Sequence, residues 1–114
     1  MQKIFALLLI LFSIPGLRVV YAGNDAPVII TFLLHAPAAK KIEVIGNFNG
    51  WESDSTQLKG PDAAGNWRAT IAIPDDVRTI RYLYLVDGKT VVLDPAYPAV
   101  NDDFGGKNNL RMIP

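Results

Sequence analysis

The chain lacks cysteine and carries a single histidine, His35, among its 114 residues. Without cysteine there is no disulfide framework, no thiol nucleophile and no lipid attachment to a cysteine side chain. One imidazole and no thiolate are too few ligands for a typical zinc site. We therefore expect no metal and no cofactor, and packing has to supply the stability of the fold.

Catalytic groups are also scarce. No Gly-x-Ser-x-Gly sequence is present to form a nucleophile turn. The pairs Asp75-Asp76 and Asp102-Asp103 are sequence neighbours, whereas a glycosidase needs two carboxyl groups that face one bond across a cleft. Solvated turn roles explain these pairs better, and His35 is expected to be a structural or surface residue. The sequence predicts no catalytic residue and no enzyme.

Clustered charge of either sign is missing. The chain has 11 Lys and Arg against 11 Asp and Glu, and its basic residues are scattered singly apart from Lys40-Lys41. A nucleic-acid surface needs clustered Lys and Arg to neutralise phosphates. We therefore expect no nucleic-acid partner.

The longest apolar run lies at the N-terminus. Lys3 precedes a run over residues 4–14 that only a serine interrupts, and Val20-Tyr21-Ala22 places small residues at the two positions that a signal peptidase recognises. An uncleaved membrane anchor is the alternative, but the run is well short of the roughly 20 residues that cross a bilayer, and Arg18 follows it. The pattern therefore predicts a signal peptide over residues 1–22.

Cleavage after Ala22 defines the rest of the organisation. It leaves 114 − 22 = 92 residues, 23–114, which is enough for one domain. It also removes Lys3 and Arg18, so that 11 − 2 = 9 basic groups remain against 11 acidic groups, a net charge of −2. We expect an exported chain, periplasmic or secreted, with no membrane association after cleavage.

Short segments rich in β-branched and aromatic residues alternate with Gly, Pro and Asn turns, and no stretch shows a helical period. Asp87-Gly88 lies between two such segments and is a strong two-residue hairpin signal. The predicted strands are 28–34, 42–45, 67–73, 79–86, 89–93 and 110–113, with 101–109 as a loop. This spacing predicts an all-β fold, an immunoglobulin-like antiparallel β-sandwich of about seven strands.

Alternation within the strands predicts which side chains form the core. In strand 79–86, Ile80, Tyr82 and Tyr84 share one face. Leu83 lies on the opposite face, where it belongs either to a second core or to an exposed apolar patch for a partner. Trp67 begins an alternating strand and is predicted to pack in the core.

Several separated motifs carry a family resemblance. In chain order they are Glu-Val-Ile-Gly-Asn-Phe-Asn-Gly-Trp at 43–51, Gly-Asn-Trp at 65–67, residues 82–89 around Asp-Gly, Asp-Pro at 94–95 and Asn-Asn at 108–109. Together they resemble carbohydrate-binding module family 48. That family includes the glycogen-binding domain of the AMP-activated protein kinase β-subunit and the N-terminal domains of isoamylases and branching enzymes. The resemblance runs from about Val28 to Ile113.

The resemblance also implies a glucan-binding site. Trp51 matches the Trp of the family's Gly-x-Phe-Asn-x-Trp motif, and Asn108 matches a late Asn. Thr90 stands in place of a second Trp, Leu83 in place of a Lys, and in the late loop Phe104 and Gly106 stand in place of a Leu and a Thr. An indole covers the apolar face of a pyranose, while amides fix its hydroxyls. The predicted ligand-binding residues are Trp51, Asn108, Phe104, Thr90 and Leu83.

The loop that precedes Trp51 leaves two placements open for its indole. An exposed indole would serve recognition, whereas an indole folded back would plug the edge of the sandwich. Within the same loop, Phe48 is expected to anchor to the core, and Asn47 and Asn49 to stabilise turns through the backbone.

Two functions follow from these observations. The first is a non-catalytic module that binds an α-glucan or a related oligosaccharide, which the retained Trp51 and Asn108 favour. The second is a protein–protein interaction domain with a degenerate sugar site, which Thr90 favours and which would dock a partner through an edge strand or the Leu83 face. A stand-alone hydrolase is disfavoured because no catalytic constellation is present.

Overall fold

The computed structural model describes residues 27–114, so the predicted signal peptide, residues 1–22, lies outside the described residues. This part of the chain forms seven strands and contains no helix, and hence none long and apolar enough to cross a membrane. The strands are β1 Val28–His35, β2 Ile42–Gly46, β3 Asn66–Ile73, β4 Thr79–Val86, β5 Thr90–Val92, β6 Ala99–Asn101 and β7 Lys107–Met112. The predicted all-β architecture is confirmed.

The strands form two antiparallel sheets. One sheet contains only β1 and β3, which pair along their whole length from Val28 opposite Ile73 to His35 opposite Asn66. The other has five strands in the order β2-β4-β7-β6, with β5 also paired to β4. Strand β4 is central to it: β2 covers one edge, and the other edge pairs first with β7 and then with β5. The core lies between the two sheets, as in a β-sandwich.

Side chains alternate between the two faces of each strand, and those that point inward form the core. Trp67 is only 4% exposed, and its indole nitrogen donates a hydrogen bond to the carbonyl of Ala36 (2.9 Å). This confirms the prediction for Trp67, and the alternation predicted for strand 79–86 holds as well. The buried apolar residues are Ile30, Phe32, Leu34, Ile42, Val44, Leu58, Trp67, Ile73, Ile80, Tyr82 and Tyr84.

The late part of the chain differs from the sequence prediction. The segment 101–109 was predicted as a loop, but β6 ends at Asn101 and β7 begins at Lys107. The polar composition suggested a loop because Asn and Lys are uncommon in strands. Here Asn108 and Asn109 are both buried, and β7 pairs with β4 and β6. Tertiary pairing therefore overrides local composition.

The Asp-Gly hairpin is present with a small shift. Asp87 and Gly88 both have positive φ, 53° and 77°, as the tight turns of hairpins require. Lys89 N donates to Val86 O (3.2 Å), but ladder pairing resumes at Thr90 and not at Lys89. The predicted return strand therefore starts one residue too early.

A buried carboxyl group lies beside two tyrosines of the core. Asp94 is 4% exposed, and its Oδ2 accepts hydrogen bonds from the hydroxyls of Tyr82 (2.6 Å) and Tyr84 (3.2 Å). Its Oδ1 accepts one from the amide of Ala96 (2.9 Å). Burial, together with Asp94, raises the pKa of both tyrosine hydroxyls far above the usual range. The tyrosines therefore stay protonated and act as donors to Asp94.

The side chain of Asn109 connects the backbone around Asp94 to β7. Its Oδ1 accepts a hydrogen bond from Asp94 N (2.6 Å), and its Nδ2 donates to the carbonyls of Asp94 (2.9 Å) and Tyr97 (3.0 Å). The side chain thus satisfies backbone groups of a connection that enters the core without strand partners. This explains why a fully buried polar residue occupies β7.

We expect Tyr82→Phe to destabilise the fold. It removes the shorter of the two tyrosine hydrogen bonds to buried Asp94, and a lost donor to a buried carboxyl group costs about 1–3 kcal/mol of unfolding free energy. Tyr97→Phe is the matched control, because the Tyr97 hydroxyl makes no hydrogen bond within residues 27–114. Chemical denaturation of the three proteins measures the difference. Equal stabilities would show that the Asp94 network is energetically neutral.

Candidate functional site

The loop after β2 is folded by its own polar side chains. The amides of Asn49 and Trp51 both donate to the carbonyl of Gly46 (3.1 and 2.9 Å). Asn49 Oδ1 accepts from Gly46 N (3.0 Å), and its Nδ2 donates to Val44 O (2.9 Å). These bonds confirm the prediction that Asn49 stabilises the turn through the backbone.

Two further residues attach this loop to the sandwich. Asn47 Nδ2 donates to Thr79 O (2.8 Å), and Asn47 Oδ1 accepts from Arg81 N (3.1 Å). The ring of Phe48 stacks on core residue Phe32, with centroids 5.2 Å apart and planes 20° from parallel. Phe48 therefore anchors the loop to the core as predicted. Asn47 was predicted to stabilise the turn, but its side chain instead fixes the loop to the backbone of β4.

Gly46 makes this close attachment sterically possible. A Cβ at this position would collide with the carbonyl of Arg81 and lie 2.7 Å from the Phe48 ring. Since real Cβ contacts are essentially never this short, only glycine fits here.

Trp51 is held exposed at the end of the loop. Its side chain is 44% exposed, so the exposed indole is the observed one of the two placements that the sequence left open. Its φ is +60°, a left-handed conformation that costs a non-glycine residue roughly 1–2 kcal/mol. A strained backbone that presents a large aromatic side chain to solvent is more typical of a functional site than of a structural one.

The far side of this loop is fastened by buried Glu43. Its carboxylate, 1% exposed, accepts a hydrogen bond from Asp54 N. Asp54 also has a positive φ of 69°, and the Lys41 ammonium lies 3.0 Å from its carboxylate and 4.0 Å from that of Glu43. Hydrogen bonds therefore hold the loop around Trp51 on both sides, at Gly46 and at Asp54.

A second tight loop joins β6 to β7. Asp102 Oδ1 accepts hydrogen bonds from the amides of Phe104 and Gly106, both at 2.8 Å, and Asp102 N donates to Gly106 O (3.0 Å). Gly105 supplies the positive φ of 87° that the turn needs. The tip of this loop carries Phe104, whose side chain is 94% exposed.

The two loops face each other across one groove. Its volume is about 400 Å³, and the outward side of β4 forms part of its wall. The residues that line it are Trp51, Arg81, Leu83, Asp102, Asp103, Phe104 and Asn108. The structure thus brings together four of the five residues predicted to bind ligand. Thr90 is exposed on β5 and does not line the groove.

Sequence reasoning missed the charged residues of this groove. Arg81 precedes Leu83 by two positions on β4, so the period of two that placed Leu83 also places Arg81 on the same face. Asp102 and Asp103 had been assigned to turn chemistry alone. For Asp102 that role is present, but both residues also line the groove. One basic and two acidic side chains give the groove a formal charge of −1, which disfavours an anionic ligand.

Asn108 is the deepest polar residue of the groove. It is 5% exposed, and its Oδ1 is buried with no hydrogen-bond partner within residues 27–114. A buried acceptor without a donor is costly and uncommon. A ligand hydroxyl that donated a hydrogen bond to this oxygen would satisfy it. The groove therefore combines apolar surfaces with a buried acceptor that a ligand donor could pair.

Titratable residues outside the groove show no metal-binding arrangement. Within residues 27–114 there is no group of three or more His, Asp and Glu side chains that could hold an ion. His35 lies at the exposed end of β1, where its Nδ1 is 3.2 Å from Asn66 Oδ1. The absence of a metal and a cofactor stays a prediction of the sequence.

We expect the loop of Phe104 to depend on the Asp102 acceptor. Hydrogen bonds from the Phe104 and Gly106 amides lower the pKa of Asp102 below its usual 3.8. A lowered folded-state pKa means that the carboxylate supports the loop above pH 3.8 and stops doing so as the pH falls through the lowered value. In NMR spectra, both amide protons should titrate with a midpoint below 3.8.

Two variants separate the acceptor from the charge. Asp102→Asn keeps an Oδ1 acceptor and should retain the loop without the titration, whereas Asp102→Ala should shift both amide resonances at every pH. An unperturbed midpoint in the wild type, or unchanged amide resonances in Asp102→Ala, would contradict this role for Asp102.

Comparison with known proteins identifies the family. The model of carbohydrate-binding module 48, the isoamylase N-terminal domain, matches residues 19–97, which is more than half of the chain. The match begins before the predicted cleavage point after Ala22 and ends before β6 and β7. It therefore includes Trp51, Leu83 and Thr90 but not Phe104 or Asn108.

Curated relatives are enzymes of α-glucan branching. The chain is 33% identical over 76 residues to the 1,4-α-glucan-branching enzyme of Saccharomyces cerevisiae, covering 60% of this chain and 11% of that enzyme. It is 33% identical over 69 residues to the 1,4-α-glucan branching enzyme of Nocardia farcinica, covering 60% of this chain and 9% of the enzyme. The chain thus spans about a tenth of the length of these relatives.

Solved structures share the fold. The pullulanase of Bacillus acidopullulyticus aligns with a TM-score of 0.56 at 20% identity, over 81% of this chain and 12% of that one. The pullulanase of Paenibacillus barengoltzii aligns with a TM-score of 0.53 at 27% identity, over 78% of this chain and 14% of that one. With the family match over residues 19–97, these likenesses lead to one conclusion: the chain belongs to the carbohydrate-binding module 48 family, the isoamylase N-terminal domains.

Proposed function

We propose that this chain is a non-catalytic, exported module of immunoglobulin-like fold that binds an α-glucan or a related oligosaccharide by aromatic stacking. One observation carries the proposal: exposed Trp51 shares a groove of about 400 Å³ with Phe104, Leu83 and the Oδ1 of Asn108, which has no hydrogen-bond partner within residues 27–114. The names of the curated relatives supply the ligand class, because those relatives act in 1,4-α-glucan branching.

The chemistry of the groove suits a neutral sugar. A pyranose has an apolar C–H face that an indole covers with a large, rigid area, and Trp51 and Phe104 present two such aromatic surfaces from opposite loops. Sugar hydroxyls can donate to Asn108 and to the carboxylates, and accept from Arg81. A few polar groups around an apolar surface are typical of small-ligand sites.

The absence of catalysis is supported by what the carboxylates already bind. Asp87 Oδ1 accepts from the amides of Lys40 and Lys41 at 2.7 and 2.9 Å, and Asp62 Oδ1 accepts from those of Ala64 and Asn66, both at 2.9 Å. Asp62 thereby closes its own turn, and Asp87 fastens its hairpin to the segment that precedes β2. A glycosidase would need two of them to face one scissile bond.

Export rests on the N-terminal pattern of residues 1–22 alone. N-terminal sequencing of the protein recovered from the periplasm or the medium tests it, with Gly23 as the expected first residue. A product that keeps residues 19–22, which the family model also matches, would overturn the assigned cleavage point.

We expect Trp51→Ala to reduce the affinity for maltoheptaose at least about tenfold, because rigid aromatic contacts dominate small binding surfaces. Alanine is a better replacement than glycine. Glycine would also remove the strain of the left-handed backbone at this position, and so would change stability as well as the aromatic surface. Trp51→Phe keeps a smaller aromatic surface and should retain part of the affinity. Isothermal titration calorimetry measures all three proteins.

Val91→Ala is the matched control. Val91 is 56% exposed on β5 and does not line the groove, so its removal deletes exposed apolar surface elsewhere. If the wild type binds no α-glucan, or Trp51→Ala binds as well as Val91→Ala, sugar binding in the groove is refuted. The protein–protein alternative would then gain support from Phe104, an almost fully exposed aromatic residue.

A further inference from the structure

A short segment, residues 55–59, connects the two sheets, and we call it the bridging segment. On one side Leu58 N donates a hydrogen bond to Ile42 O of β2 (2.8 Å). On the other side Lys59 and Arg68 of β3 exchange two hydrogen bonds (2.8 and 2.9 Å). The pair of Lys59 and Arg68 is therefore the point where the bridging segment is fastened to β3.

Beyond this pair the bridging segment and β3 separate. In an antiparallel ladder the residues two positions further along, Gln57 and Thr70, would form the next hydrogen-bonded pair, but within residues 27–114 no hydrogen bond joins them. Thr56 O and Leu58 N bond to β2, so Gln57 between them directs its backbone groups toward β3. Thr70 directs its own groups to the same side as Arg68, away from β1. Backbone groups of both segments therefore face the gap.

This gap is a groove of about 580 Å³, which we call the second groove. Its floor is apolar, because Ala69 and Ile71 are half-buried against the core. It shares no lining residue with the groove of Trp51. An apolar surface with a few polar groups around it is typical of small-ligand sites. The lining residues are Ser55, Thr56, Gln57, Lys59, Arg68, Ala69, Thr70 and Ile71.

The second groove carries positive charge. Exposed Lys59 and Arg68 lie directly opposite each other, and like charges at opposite positions of an antiparallel pair are destabilising. The Asp62 carboxylate is 3.7 Å from the Arg68 guanidinium and offsets part of this charge. Within residues 27–114 no carboxylate forms an ion pair with Lys59. The formal charge of these three side chains is +1, opposite in sign to that of the groove of Trp51.

We propose that the second groove binds an acidic saccharide, a sugar that carries a phosphate ester or a carboxylate. The anionic group lies between Lys59 and Arg68, where it removes the repulsion of the two cations. Both side chains give it charge-assisted hydrogen bonds, and the guanidinium has donors to spare beyond those that face Asp62.

The rest of the groove selects a sugar and not a bare anion. A small inorganic anion would use only the end at Lys59 and Arg68. The C–H face of a sugar ring covers the apolar floor of Ala69 and Ile71. The side-chain amide of Gln57 both donates to and accepts from ring hydroxyls. Because none of these residues lines the groove of Trp51, this site stands whether or not neutral glucan binds there.

NMR titration of the ¹⁵N-labelled full chain with glucose 6-phosphate tests the proposal. The backbone amides of Gln57 and Thr70 should shift, the Trp51 indole should not, and the affinity should fall as salt is added. Neutral glucose and inorganic phosphate should each bind at least about tenfold more weakly than glucose 6-phosphate, since each lacks one half of the contacts. Glucuronate is titrated in parallel. Binding of only one of the two acidic sugars identifies the anionic group that the groove accepts.

Charge-neutral variants assign the site. Lys59→Gln/Arg68→Gln keeps the backbone pairing and should weaken the binding of glucose 6-phosphate at least about tenfold, with the affinity for maltoheptaose unchanged. Lys40→Gln/Lys89→Gln, away from the groove, is the charge-matched control and should bind like the wild type. Trp51→Ala should also bind glucose 6-phosphate like the wild type. Thermal denaturation checks that each variant is folded.

The proposal is overturned if neither acidic sugar shifts the amides of Gln57 and Thr70, or if glucose or inorganic phosphate binds as tightly as the acidic sugars. Unchanged affinity in Lys59→Gln/Arg68→Gln overturns it as well. Should the double variant fail to fold, Lys59→Gln alone removes no ion pair found within residues 27–114 and must still weaken binding severalfold.

Discussion

The buried hydrogen bonds of Asp94 are the interaction on which the rest of the structure depends. They join β4, through Tyr82 and Tyr84, to the connection that precedes β6, and Asn109 adds β7. The Tyr84 hydroxyl also lies 3.2 Å from the carbonyl of Leu33 in the opposite sheet. A buried carboxyl group is tolerable only when its partners satisfy it. Here two partners come from β4 and one from the amide of Ala96, and the Tyr84 hydroxyl extends the network to the opposite sheet.

The same network positions the groove on the other face of the sheet. Because neighbours in a strand point to opposite faces, burying Tyr82 turns Arg81 and Leu83 outward, and burying Asn109 does the same for Asn108. The inward residues fix the register between β4 and β7, where Tyr82 lies opposite Asn109. The packing of the core therefore sets the positions of the groove residues on β4 and β7. The two aromatic residues of the groove come from loops.

Each loop is held in place by hydrogen bonds of its own residues. Gly46, Asn47 and Asn49 fold the first against β2 and β4, and Asp102 folds the second on its own amides. This pre-organisation matters for binding, since little loop entropy is left to lose when a ligand arrives. Two costs remain at this site: the strained backbone of Trp51 and the Asn108 oxygen, which finds no hydrogen-bond partner in the described part of the chain.

The sequence was sufficient where a regular pattern existed. The period of two placed β4 at its observed bounds and Trp67 in the core, and the ordered motifs predicted the family. It failed for β6 and the start of β7, because burial of Asn108 and Asn109 depends on partners distant along the chain. Loop composition left the exposure of Trp51 open. Its left-handed backbone accompanies the hydrogen bond from its amide to the carbonyl of Gly46, which composition does not reveal. Arg81 could have been found from the period of two that placed Leu83 on the same face of β4. Asp103 was missed because only the folded loop between β6 and β7 brings it to the groove.

The most direct test of the account is an NMR titration of the ¹⁵N-labelled protein with maltoheptaose. Binding in the groove predicts that the largest shifts fall on the Trp51 indole, on Phe104, on Leu83 and on the side-chain amide of Asn108. The buried Trp67 indole and Val91 should change little. No shifts at saturating sugar, or shifts centred away from these residues, would contradict the assignment of the groove as a glucan site.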